Sequence, residues 1–120
     1  MKKIVIFSLA TLLFVGCAGS QQSLYYWDGK YQQSVYEYLN EEGDISEQIS
    51  KLEDSIKQAE TAMKKIPPGL YAHLGILYNA NGNLEIAKKY FQKEVEFFPQ
   101  STKYIQFLLS DNKKGSKNGK

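Results

Sequence analysis

From Ile45 onward, apolar residues recur every three or four positions. Ile45, Ile49, Leu52, Ile56, Ala59, Met63 and Ile66 lay one stripe along a helix. The opposite face carries Glu47–Lys51, Glu53–Lys57 and Glu60–Lys64, each spaced i, i+4 with the acid first, the stabilising order. Asp44 suits the N-cap, and Glu47 follows three residues later as in a capping box. Pro67-Pro68 stops this helix, and Pro68 can open the next at its first position. An earlier helix is expected over residues 30–40, with Tyr31, Val35, Tyr38 and Leu39 on one face and Gly43 as its C-terminal cap. A third covers residues 69–80, with Leu70, Leu74, Leu77 and Tyr78 inward, and Asn81-Gly82-Asn83 makes a tight turn. A fourth covers residues 84–98, with Leu84, Ala87, Phe91, Val95 and Phe98 on one stripe, and Pro99 ends it. Ser101 can cap a short fifth helix bearing Tyr104, Ile105, Leu108 and Leu109. No segment sustains a period of two. The pattern predicts an all-α fold of about five helices arranged as hairpins.

The third and fourth helices carry a recognisable spacing: Tyr71-x-x-Leu74-Gly75-x-x-Tyr78, then Ala87-x-x-x-Phe91, then Pro99. This resembles one tetratricopeptide (TPR) repeat, a helix–turn–helix unit of about 34 residues. The residue types fit its packing. Gly75 lets two helices approach, Leu74 and Tyr78 fill the space between them, Ala87 is small at the crossing, and Phe91 plugs the core. Tyr71 stands where the family usually has Trp, and Glu94 where it prefers Ala. The first two helices then read as a degenerate hairpin ahead of the repeat, and the fifth as the cap that repeat arrays need at an end. The resemblance implies a groove lined by Gly69, Ala72, Ile76, Asn79 and Ala80. That surface is small and apolar with one amide, and it lacks the cationic set with which TPR clamps hold a peptide carboxylate. It suits a partner helix or chain segment, or the protein's own first hairpin.

The N-terminus has a different character. Lys2 and Lys3 precede an apolar run from Ile4 to Val15, interrupted only by Ser8 and Thr11. The run is shorter than the roughly 20 residues needed to span a bilayer, and small residues flank its end, so it reads as a cleavable export signal. Phe14-Val15-Gly16-Cys17 resembles the bacterial lipobox, with Phe14 where Leu is usual. That resemblance implies cleavage before Cys17 and acylation of its thiol and its new amino group, including a palmitate-type chain. Ala18 is not the Asp that retains Gram-negative lipoproteins at the inner membrane, which points to the outer membrane, at its periplasmic face. The expected organisation is a signal peptide over residues 1–16, a lipidated tether over 17–23, a helical domain over 24–110 and a disordered basic tail over 111–120.

Charge changes the picture little. The net charge of +2 falls to near zero once Lys2 and Lys3 leave with the signal. All 15 basic residues are Lys. Without the planar fork of Arg for phosphates and base edges, nucleic-acid recognition is not expected. The tail holds Lys113, Lys114, Lys117 and Lys120 against Asp111, which fits a solvated end better than a lipid-binding one. Cys17 is the only cysteine, so no internal disulfide can form.

Candidate chemistry is sparse. His73 is the only histidine, and no His/Cys cluster accompanies it, so it reads as a boundary residue of its helix and not as a catalyst or ligand. No catalytic residue, metal site or cofactor is expected. Leu24-Tyr25-Tyr26-Trp27 is the densest aromatic patch. It fits an N-terminal cap over the first hairpin, with an interface role as the alternative.

The order lipobox, Tyr25-Tyr26-Trp27, a Lys-Leu-Glu helix and then Pro-Pro-Gly-Leu-Tyr-Ala-His-Leu-Gly resembles, as a whole, small TPR-like bacterial lipoproteins grouped as a domain-of-unknown-function family. Members of that group are often encoded beside a lipoprotein resembling the curli export channel. The resemblance implies an outer-membrane lipoprotein acting as a non-enzymatic interaction module in an envelope or secretion-related assembly, with an envelope protein, such as another lipoprotein, as partner. The alternative is a regulatory lipoprotein that binds the cell wall or an envelope enzyme.

Overall fold

The computed structural model describes residues 23–118. Among them are five α-helices: α1 (Lys30–Leu39), α2 (Ile45–Thr61), α3 (Leu70–Ala80), α4 (Leu84–Phe97) and α5 (Thr102–Asn118). A 3-10 turn, Pro99–Ser101, joins α4 to α5. The expected all-α hairpin architecture forms: α1 packs on α2, α3 on both α2 and α4, and α5 on α4. Residues 1–16, Cys17 and all of the tether but Ser23 lie outside the described residues. The last helix runs past Asp111, where the sequence suggested a disordered tail, to Asn118.

The central element is α3. Its sequence, LYAHLGILYNA, has almost no polar face, and a helix apolar all round belongs inside. One side meets Ile49 and Leu52 of α2 through Leu70, Leu74 and Leu77, with Tyr31 and Tyr38 of α1 alongside. The other side places Ala72 with Ala87 and Phe91 of α4 and Ile105 of α5. Gly75 marks the closest approach of α3 and α4. A Cβ at that position would collide with the Phe91 ring, so only glycine fits.

Three helices end the same way. At the end of α3, Asn83 donates to the Tyr78 carbonyl at 2.8 Å and Gly82 to the Asn79 carbonyl at 3.0 Å. This is a Schellman motif with glycine in its left-handed position. Helices α1 and α2 close identically, but with Glu41 and Met63 in that position, each at φ 55°. The α1 stop is therefore Glu41 and not Gly43. On α2, Lys64 N–H bonds the Ala59 carbonyl at 3.0 Å and Met63 N–H the Glu60 carbonyl at 3.1 Å. The helix therefore ends at Thr61, and the apolar stripe expected to continue through Met63 to Ile66 breaks there.

Other sequence expectations shift accordingly. Met63 leaves the stripe and is 93 % exposed. Leu39 is also exposed, and Ser34 takes the buried place on α1. Of the three acid–lysine pairs on α2, Glu47–Lys51 forms at 2.9 Å. Glu53 instead accepts from the Tyr78 hydroxyl, and Lys64 lies beyond the helix end. Gly69 is the N-cap of α3, so Leu70 and not Pro68 takes the first helical position.

The aromatic N-terminal segment crosses the domain as a short strap. Lys65 N–H donates to the Leu24 carbonyl at 3.2 Å, and Tyr26 N–H to the Lys65 carbonyl at 2.9 Å. The Tyr26 hydroxyl donates to Gln58 on α2 at 2.6 Å, and the Tyr25 ring lies 6.4 Å from that of Phe98 at the end of α4. Asp28 closes the strap. It accepts from the Lys30 amide at 3.0 Å and from the Ser55 hydroxyl at 2.6 Å, so one side chain starts α1 and ties it to α2.

Candidate functional site

A concavity with a volume of about 910 Å³ lies between α4 and α5. Leu84, Phe91 and Val95 from α4 and Ile105 and Leu109 from α5 supply its apolar lining. Lys88, Gln92, Glu96 and Gln106 supply the polar groups, and Asn79 closes one end. The groove exists because α4 carries two adjacent apolar lines. Ala87 and Phe91 turn to α3, whereas Leu84 and Val95 point toward α5, and no described element after α5 covers the far side.

Most signature residues gather where α3 meets α4, but Leu74, expected to fill the space between those two helices, packs with Ile49 and Leu52 of α2. Tyr71, Leu74, Gly75, Ala87 and Phe91 are buried and Tyr78 is half-buried, while Pro99 opens the 3-10 turn at the surface. Tyr71 stacks between Phe97 at 5.8 Å and Tyr90 at 6.2 Å, and Tyr90 stacks in turn on Tyr78 at 5.6 Å. The Lys93 ammonium sits over the Tyr71 and Tyr90 rings at 5.7 and 5.6 Å. Burial first, and the Glu53 carboxylate second, push the Tyr78 hydroxyl well above its ordinary range. The same two causes raise Tyr90 to about 12.

Of the groove residues expected from the repeat pattern, Asn79 lines the groove found here. Ala72 and Ile76 pack with Ile105 under α5, and Ala80 is exposed at the end of α3. Sequence reasoning missed the α4–α5 lining. Its signal was present in Leu84 and Val95, which stand eleven residues apart on one line of α4.

Glu94 is fully buried. Its carboxylate accepts from the Gly69 amide at 2.9 Å, from the Ala72 amide at 3.4 Å and from the Ser101 hydroxyl at 3.0 Å. The N-cap of α3 is a glycine with no side chain, and Glu94 reaches over from α4 to act in its place. Ser101, expected to cap α5, serves Glu94 instead.

His73 is buried, not at a boundary. The Gln48 amide nitrogen donates to the Glu42 carbonyl at 3.2 Å, which turns its oxygen toward Ser34. The Ser34 hydroxyl donates to that oxygen at 2.9 Å. Its proton is then committed, so the 2.9 Å contact with His73 Nε2 requires Nε2–H to donate to Ser34. Tyr31 and Tyr38 meet the imidazole edge-on at 6.0 and 5.8 Å. Burial lowers the His73 pKa from 6.5 to about 4, with a bond to the Ser34 backbone opposing. This arrangement joins α1, α2 and α3.

No group of three or more His, Cys, Asp or Glu converges as a metal site among the described residues. No helix among them is long and apolar enough to cross a membrane. Cys17 lies outside the described residues.

The fold and site define an all-helical hairpin protein with an open apolar groove. The family described as "Domain of unknown function (DUF4810)" matches residues 24–108, and the chain belongs to that family. The match begins at the strap and ends within α5, so it takes in both hairpins and all of the groove lining but Leu109. No curated protein and no solved structure matches the chain.

Proposed function

We propose that this protein is an outer-membrane lipoprotein, anchored through acylated Cys17, that works as a non-enzymatic, TPR-like docking module in an envelope or secretion-related assembly. The observation that carries the docking reading is the α4–α5 groove. Apolar side chains from α4 and α5 line it beside exposed polar ones, a form that accepts the apolar face of a partner helix. The lipobox-like Phe14-Val15-Gly16-Cys17 carries the anchoring. Two or more acyl chains hold a protein on a membrane where one is marginal.

Site-specific photo-crosslinking in intact cells tests the docking reading. Probes placed at Leu84 and Leu109 should capture the same envelope protein. A probe at Gln32, exposed on α1, should not, and Val95→Glu should abolish capture while the helical content stays intact. Capture that is equal from both faces, or absent from the groove, refutes it. The anchor has a separate test. Cys17→Ala should yield an uncleaved or soluble chain, and fractionation with the outer membrane unchanged from wild type would show that reading to be wrong.

A further inference from the structure

Met63 occupies a position where the chain has every reason to place glycine. It is the left-handed residue of the α2 Schellman motif, at φ 55°, and its side chain is 93 % exposed. A strained backbone that displays an apolar side chain to solvent stabilises nothing inside the domain. Its surroundings are specific. Lys64 and Lys65 follow it, both exposed and in no ion pair among the described residues. The strap lies directly against them, since the Lys65 amide bonds the Leu24 carbonyl, and the Leu24 side chain is 58 % exposed. Two flexible apolar side chains and two lysines thus share one corner of the fold.

That corner is also where the chain outside the described residues joins the domain. Ser23 precedes Leu24, and Cys17 lies seven residues before it, so an extended tether reaches at most about 25 Å. We propose that the Leu24–Met63–Lys64–Lys65 corner is a membrane-contact face that seats the domain on an anionic bilayer. The proposal rests on the anchoring at Cys17. Exposed apolar chains flanked by lysines suit a fluid interface, where the apolar parts immerse and the ammonium groups remain among lipid phosphates. A tether this short holds the corner at high effective concentration beside the membrane, so weak attraction suffices for occupancy.

The chain's single tryptophan makes the test direct. Trp27→Phe combined with Met63→Trp moves the only indole to the corner. The acylated full chain carrying both changes is reconstituted into phosphatidylethanolamine–phosphatidylglycerol vesicles, with and without brominated acyl chains. Circular dichroism checks the fold. The expected result is co-sedimentation, blue-shifted emission and at least twofold quenching by the brominated lipid. Lys64→Glu with Lys65→Glu should reduce quenching while sedimentation stays the same. A chain that sediments with its indole emitting as in water overturns the contact face and leaves the anchor standing. A blue shift without bromine quenching assigns the corner to a protein contact and also overturns the proposal. A chain that fails to sediment overturns the anchor and this proposal together.

Discussion

Glu94 and Gly69 meet across 25 residues of chain, with the glutamate carboxylate 2.9 Å from the glycine amide. The contact fixes how the two helices of the repeat-like hairpin are staggered. Its loss exposes the arrangement's weakness, because the Gly69 and Ala72 amides and the Ser101 hydroxyl lose their acceptor together. Glu94→Ala installs the residue usual in TPR repeats, and a consensus argument expects it to stabilise. The structure predicts the reverse, a loss of about 2–3 kcal/mol, since buried donors are left unsatisfied. Glu94→Gln keeps one acceptor and should cost less. Urea denaturation of the three proteins checks the order.

Gly75 and Phe91 predict a second loss. Gly75→Ala drives a methyl into the Phe91 ring. The two helices must separate, at a cost of about 1–3 kcal/mol. Phe91→Leu should recover part of this in the double variant, and a double-mutant cycle measures the coupling.

Met63 predicts a gain. Met63→Gly relieves the left-handed backbone at φ 55° and should stabilise by about 1 kcal/mol, raising the melting temperature by several degrees. The equivalent change at Glu41 should act likewise. Met63→Gly should at the same time weaken any contact that the exposed side chain makes. Thermal melts followed by circular dichroism read the first effect.

His73 sets the acid limit. Its folded pKa of about 4 lies below the ordinary 6.5, so the unfolded chain binds the proton first as pH falls. Stability should decline from pH 6.5 toward 4, by at most about 3 kcal/mol from this residue. On the alkaline side, Tyr90 titrates near 12 instead of 10, so stability should fall again above pH 10 as the unfolded chain loses its proton first. Denaturation midpoints across pH, compared with His73→Gln, separate the histidine's share. That variant should be flatter between pH 6.5 and 4.

The helices were legible because their signals are local. Stripes at Ile45–Ile49–Leu52 and the Tyr71–Leu74–Gly75–Tyr78 spacing need only a few turns of chain, and Gly75 named its own contact. What escaped depends on distant pairing. Nothing near Glu94 announces that a glycine-capped helix 25 residues earlier lacks an acceptor. Nothing near His73 announces Ser34. The early end of α2 was hidden for another reason: Met63 fits an apolar stripe by period, yet the Schellman bonds of Lys64 and Met63 place it outside. The groove lay between these cases, because which side of α4 stays open depends on where α5 lands.

The strap also decides where mechanical load enters the protein. A pull applied at Ser23 passes through the Leu24–Lys65 and Tyr26–Lys65 backbone bonds and the Tyr26 hydroxyl bond into α2 and the loop that follows it. Asp28 shares that load with Ser55, again on α2. Among the described residues no hydrogen bond joins the strap to α5, and the Tyr25 ring lies 6.4 Å from that of Phe98, just after α4. Tension on the N-terminus is therefore borne mainly by α2 and the loop after it, while the groove is built on α4 and α5 and keeps its shape as the protein is tugged.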